Sequence, residues 1–186
     1  SSITNTPSVE NITSDLVLSG PISISLQSSE DSVYGFITNF LNSKVTRLKF
    51  DDLLSDYESA DILVPSSGQL SDIAIIGDCD QWYGFLTSRS PGKVIRFDFG
   101  TSLNNTPDQS AISDELGFTL DNPVGLGLAT ESDDYQLFVT SRNGPIYRLD
   151  LPSLTADPIG TELGNLNGLS GDWSLELVNI GSQWSM

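Results

Sequence analysis

Trp82-Tyr83-Gly84-Phe85-Leu86-Thr87-Ser88, followed by Gly92-Lys93-Val94-Ile95-Arg96-Phe97-Asp98-Phe99, decides the architecture, because the rest of the chain restates it. The pair reads as two strands and a turn. Upstream, Val33-Tyr34-Gly35-Phe36-Ile37-Thr38-Asn39 leads into Ser43-Lys44-Val45-Thr46-Arg47-Leu48-Lys49-Phe50. Downstream, Tyr135-Gln136-Leu137-Phe138-Val139-Thr140-Ser141 leads into Gly144-Pro145-Ile146-Tyr147-Arg148-Leu149-Asp150-Leu151. Thr38, Thr87 and Thr140 lie 49 and 53 residues apart, and Arg47, Arg96 and Arg148 lie 49 and 52 apart. A self-similar period of about 50 residues marks a repeat architecture.

Each repeat is preceded by a candidate first strand. Ile22-Ser23-Ile24-Ser25-Leu26 alternates strictly, as a half-buried strand does. Its counterparts are Asp72 to Ile76, Val124 to Leu128 and Trp173 to Leu177. Gly125 and Gly127 weaken an ordinary strand, and close approach of neighbouring backbones near a central axis accounts for them. A polar connection follows each third strand, at Asp51 to Leu63, Gly100 to Leu116 and Pro152 to Leu163, and carries a fourth strand. Asn104-Asn105-Thr106-Pro107 and Thr155-Ala156-Asp157-Pro158 are turns that set up an edge strand, where proline costs no ladder bond. Phe50 to Asp56 is expected to form one helical turn instead.

Four short antiparallel strands per repeat of this length specify an all-β β-propeller blade. The chain then holds about three full blades and parts of others: 1–20 as the outer strand of a preceding blade, then 21–70, 71–120 and 121–170 as blades, and 171–186 as the start of a further one. That is an incomplete ring, whose remaining blades are expected in the parent polypeptide. The opening Ser1-Ser2-Ile3-Thr4 and the stop in mid-strand after Trp184 agree with a fragment.

Composition narrows function. With 38% hydrophobic and 9% aromatic residues in 186, the chain has a core to bury. Its formal charge of -17, from 25 acidic and 8 basic residues, leaves no cationic footprint for nucleic acid. No run of apolar residues is long enough for membrane insertion. Histidine is absent, which removes Ser-His-Asp and Cys-His catalysis, and Cys79 is alone, between Asp78 and Asp80 that disfavour a thiolate. Cys79 is expected at a half-buried strand end. No cofactor is indicated.

The segment Trp82-Tyr83-Gly84-Phe85 with Ile95 to Pro107 resembles repeats of large secreted bacterial surface proteins that carry a gliding-motility-associated C-terminal domain. That resemblance spans about one blade and a half. It implies a propeller outside the cell, exported by a dedicated (type IX) secretion route, and it implies no catalytic residues.

The candidate contacts are few. Trp82, Tyr83 and Trp184 are aromatic side chains of the kind that cover apolar sugar surface. Asp78, Asp80, Asp133 and Asp134 belong to acidic turns between first and second strands, whose oxygens suit a hard cation, although no turn has the spacing of an EF-hand loop and a solvated hairpin turn is the preferred reading. The expectation that follows is a non-enzymatic extracellular binding or adhesion module for a glycan, cell-surface polymer or protein partner. Two alternatives stay open: a structural subunit of a cell-surface or phage-appendage assembly, and a propeller-type carbohydrate-active enzyme. For the enzyme, Asp72, Asp98 and Asp150 near strand ends are the carboxylates available, although Asp98 and Asp150 also look like partners of Arg96 and Arg148.

Overall fold

The computed structural model describes residues 16–29, 31–51, 56–65, 67–131, 134–142, 144–165, 175, 178–180 and 183–185. Blade 1 consists of β1 (Pro21–Ser29), β2 (Ser32–Asn39), β3 (Lys44–Phe50) and β4 (Tyr57–Leu63). Blade 2 consists of β5 (Leu70–Asp78), β6 (Gln81–Arg89), β7 (Gly92–Gly100) and β8 (Asp108–Ala111). Blade 3 consists of β9 (Pro123–Glu131), β10 (Asp134–Ser141), β11 (Ile146–Leu151) and β12 (Ile159–Gly164), and a hairpin of β13 (Val178–Ile180) and β14 (Gln183–Ser185) follows. Every four-stranded sheet is antiparallel, with its strands side by side in chain order. The first strands lie against one another, β1 on β5 and β5 on β9, so the sheets fan out from an inner row. This is an incomplete β-propeller.

The blades stack because their middle strands are apolar on both faces. In β6, Gly84 and Leu86 face blade 1 while Tyr83 and Phe85 face blade 3, as the two-residue side-chain period requires. One core cluster joins Tyr34, Phe36 and Val45 of blade 1 to Ile73, Ile75, Phe97 and Phe99 of blade 2. A second joins Tyr83, Phe85 and Val94 to Leu126, Leu137, Val139 and Tyr147 of blade 3. Phe36 meets Phe99 with ring centroids 5.3 Å apart. At Gly84 a Cβ would stand 2.8 Å from Ile75 Cδ1, so only glycine lets the first strand's isoleucine fill that space.

The repeated threonines have one job. β1, β5 and β9 each break register near their start, and the threonine opposite catches the displaced N–H. Thr38 Oγ1 accepts from Ser23 N at 3.2 Å, Thr87 Oγ1 from Asp72 N at 3.0 Å, and Thr140 Oγ1 from Gly125 N at 3.1 Å. A bulge leaves a main-chain donor without a ladder partner, and a hydroxyl in the next strand satisfies it. Thr38 also donates to Ser71 O at 2.6 Å, which ties blade 1 to blade 2.

The repeated arginines point forward. Arg47 donates through Nη1 to Leu103 O and Asn105 O at 2.9 and 2.8 Å, and Arg96 to Leu154 O and Ala156 O at 3.2 and 3.0 Å. Each guanidinium thereby clamps the turn that follows the third strand of the next blade. This corrects half of the expected arginine–aspartate pairing. Arg148 does pair with Asp150, at 3.1 Å, but Asp98 accepts from Gly100 N instead of meeting Arg96.

Two further expectations change. The one short helix among the described residues is a 3₁₀ turn at Ile112–Glu115, where Ser113 Oγ accepts from Val94 N. Of the helical turn expected over Phe50 to Asp56, Phe50 instead ends β3 and 52–55 lie outside the described residues, as do 1–15 and, of the fourth first strand, Trp173, Ser174, Glu176 and Leu177. Cys79 is exposed in a turn.

Phe85, fully buried between blades 2 and 3, supplies the sharpest test of this packing. Truncation by Phe85→Ala is expected to cost about 3–5 kcal/mol, read from denaturant unfolding. An unchanged midpoint would refute the interblade placement.

Candidate functional site

The bulge at the start of β5 turns Asp72 toward both neighbouring first strands. Its Oδ1 accepts from Ser23 Oγ at 2.5 Å and from Ile73 N at 2.9 Å, and its Oδ2 accepts from Leu126 N at 2.8 Å. One carboxylate therefore touches three blades at their inner row. Burial pushes its pKa up, and the hydrogen bonds from Ser23, Leu126 and Ile73 oppose that rise without cancelling it. The Ser23 hydroxyl can donate to the ionised group or accept from the protonated one, so the cluster accommodates both states. At the corresponding positions blade 1 has Ser23 and blade 3 has Gly125, neither of them a carboxylate.

Farther along the inner row lies a cleft of about 390 Å³ between the first strands, bordered by Ser25, Ala74, Ile76, Gly127, Thr130 and Leu175. At the far end of β5 the chain turns through Cys79 and Asp80, both left-handed at φ 47° and 65°. Asp78, Asp80, Gln81 and Trp82 there line a groove of about 610 Å³ together with Ser28 and Thr101. The half-buried indole of Trp82 lies across Gly77, where a Cβ would come within 3.1 Å of the ring.

The sequence candidates separate accordingly. Trp82, Asp78 and Asp80 come together at this groove. Tyr83 is only 8% exposed and belongs to the core between blades 2 and 3, so its ring is not offered to a ligand. Burial raises its pKa, and the charges of Asp98 and Asp78 add to the rise. Trp184 lies in β14, a strand whose side chains are not described, and Asp133 falls outside the described residues. Asp134 is exposed at the start of β10. Among the described residues no three Cys, Asp or Glu side chains gather into a cluster, so no third such side chain joins Asp78 and Asp80. Asp78 lies six positions beyond Asp72 along β5, a rise of roughly 20 Å, so the aromatic groove and the half-buried carboxylate are different places. Asp98 and Asp150 sit on third strands, separated from the inner row by a second strand.

The partners of Asp72 were hidden in the sequence, but a signal for one of them was there. Ser23 stands 49 residues before Asp72, the spacing that also relates Thr38 to Thr87.

No protein-family model matches the chain, and no curated protein does. Solved structures do. An α-L-arabinofuranosidase from Clostridium thermocellum superposes with a TM-score of 0.56 at 14% identity, over 89% of this chain and 58% of its own. The Bacteroides ovatus protein "Xyloglucan PUL GH43B" gives 0.58 at 13% identity, over 90% of this chain and 35% of its own. The α-L-arabinofuranosidase PaAbf62A of Podospora anserina, solved with cellotriose, gives 0.53 at 11% identity, over 76% and 51%. At such identities the likeness establishes the fold, a β-propeller, and this chain spans about half or less of each of the last two structures and 58% of the first. The expectation of a non-enzymatic protein is corrected by these matches, two of which are α-L-arabinofuranosidases. Nothing among them bears out the gliding-motility resemblance. No helix among the described residues is long and apolar enough to cross a membrane.

The raised pKa of Asp72 has a consequence for stability. A carboxyl that is a weaker acid when folded costs the native state as it ionises. That cost is absent below the ordinary carboxyl pKa of about 4 and grows as pH rises through the folded value. The stability gap between the wild type and Asp72→Asn should therefore narrow as pH increases across this window. Paired urea titrations at successive pH values measure it, and a gap that widens with pH would show the pKa to be depressed.

Proposed function

We propose that this chain is part of an extracellular β-propeller that acts on carbohydrate, and that Asp72 is one of its catalytic carboxylates. A single observation carries the reading. In a fold shared with arabinofuranosidases, Asp72 is a first-strand carboxylate that bonds to both neighbouring first strands at the inner row, and desolvation there makes it a weaker acid than an ordinary aspartate.

Cleavage of a glycosidic bond needs one carboxyl group that delivers a proton to the departing oxygen and a second that activates water or attacks the sugar. A raised pKa suits the first role, because the group must still hold its proton near the working pH. Ser23 and the Leu126 N–H fix the carboxyl plane. Since blades 1 and 3 carry Ser23 and Gly125 at the equivalent positions, the second carboxylate comes from a blade other than these three. Trp82, with Asp78 and Asp80 beside it, forms an outlying saccharide contact in this reading, and the acidic surface agrees with a secreted protein.

The test uses the intact polypeptide that carries these residues, with chromogenic aryl α-L-arabinofuranosides and β-xylosides. Turnover is expected, falling by a factor of about 100 or more in Asp72→Asn, the scale of a lost general acid. Absence of turnover on the whole panel refutes the proposal. So does an Asp72→Asn variant that melts earlier yet turns over at the wild-type rate, which would make Asp72 a tie between blades and nothing more.

A further inference from the structure

β1 carries an apolar row that nothing in the described structure covers: Ile22, Ile24 and Leu26 are 43%, 55% and 60% exposed. The repeat shows what such a row is for. Ile73 and Ile75, 49 residues after Ile24 and Leu26, are 5% exposed, in the cluster that holds Tyr34 and Phe36 of the preceding blade. Leu126 occupies the same position in blade 3, is 4% exposed, and shares its cluster with Tyr83 and Phe85. In both interfaces the covering blade brings Tyr-x-Phe on its second strand and a valine, Val45 or Val94, on its third.

Polar ties run in the same direction. The covering blade's arginine, eleven residues after the phenylalanine in Arg47 and Arg96, reaches forward to main-chain carbonyls of the blade it covers. The Thr38 hydroxyl reaches forward to Ser71 O, and Ile22 holds the position of Ser71 in blade 1.

We infer that the row Ile22, Ile24 and Leu26 is the seat of a further blade of the same polypeptide, one with Tyr-x-Phe on its second strand and an arginine eleven residues beyond. A second copy of the chain fits less well. The blade it would bring up is blade 3, where Gln136 replaces the tyrosine and Arg148 is drawn back onto Asp150. That blade also runs on into its own β13 and β14 hairpin. Two copies would bring together bodies of formal charge -17 each, which repel.

Hydroxyl-radical footprinting of the native polypeptide reads the face directly. Ile24 and Leu26 should be oxidised as slowly as Ile73 and Ile75, and far more slowly than Ile159, which is 66% exposed on β12. In the same polypeptide Leu26→Asp should lower Tm by roughly 5 °C or more, while Ile159→Asp leaves it unchanged. Oxidation of Ile24 and Leu26 at the rate of Ile159, or an unchanged Tm in Leu26→Asp, overturns the inference. Protection accompanied by a native mass of two or more polypeptides overturns it as well, and assigns the face to a second copy.

Discussion

A four-stranded sheet whose middle strands are apolar on both sides has no stable existence alone. The sheets of this protein have that character and find cover in their neighbours: Phe36 packs against Phe99, and Phe85 against the Leu137 and Val139 strand. Stacking one sheet on another would normally produce a flat pile, but the first strands crowd together while the fourth stand apart. That crowding turns the pile into a fan. It also sets the demand for small groups near the inner row, where Gly84 leaves room for Ile75 and the bulges at Ser23, Asp72 and Gly125 let strands meet.

Upon this apolar stacking the polar groups impose order. Apolar faces alone tolerate sliding, since burial is indifferent to direction. The arginine clamps are not indifferent: a guanidinium on the third strand of one blade reaches two carbonyls, two residues apart, in the turn of the next, and does so twice over. Asp72 adds a tie at the inner row, fixing blade 2 to both neighbours through one side chain. Desolvation at that tie also raises the pKa of the Asp72 carboxyl.

Much of the fold was legible in the sequence because its repeat carries residues that make the same contact in every blade. Thr38, Thr87 and Thr140 kept their spacing because each serves a bulge fifteen residues upstream, and this is why counting them yielded the blade period. The site was less legible. Trp82 and Tyr83 are adjacent and look alike in composition, yet strand alternation sends one to a surface groove and the other into the core. Arg96 and Asp98 are two residues apart and of opposite charge, but the arginine's partners are carbonyls, which leave no trace in a sequence. The standing of Asp72 depends on Ser23 and Leu126, 49 and 54 residues away in the chain, and on burial that no local pattern encodes.

The forward reach of the arginines has a consequence for how the chain is made. Arg47 bonds to residues 56 and 58 positions later, and Arg96 to residues 58 and 60 positions later, whereas the threonine bonds within a blade span 15. During synthesis a blade can close its own ladder soon after it emerges, but its clamp waits until most of the next blade has left the ribosome. Every blade thus passes through an interval with one finished sheet and one bare apolar face. For blade 2 that interval runs from Arg96 to Ala156, and a translational pause there leaves Phe85 and Tyr83 uncovered. A chain assembling from its N-terminal side therefore carries a bare apolar face on each newly finished sheet until the next blade arrives, and such faces are where nascent chains misassociate.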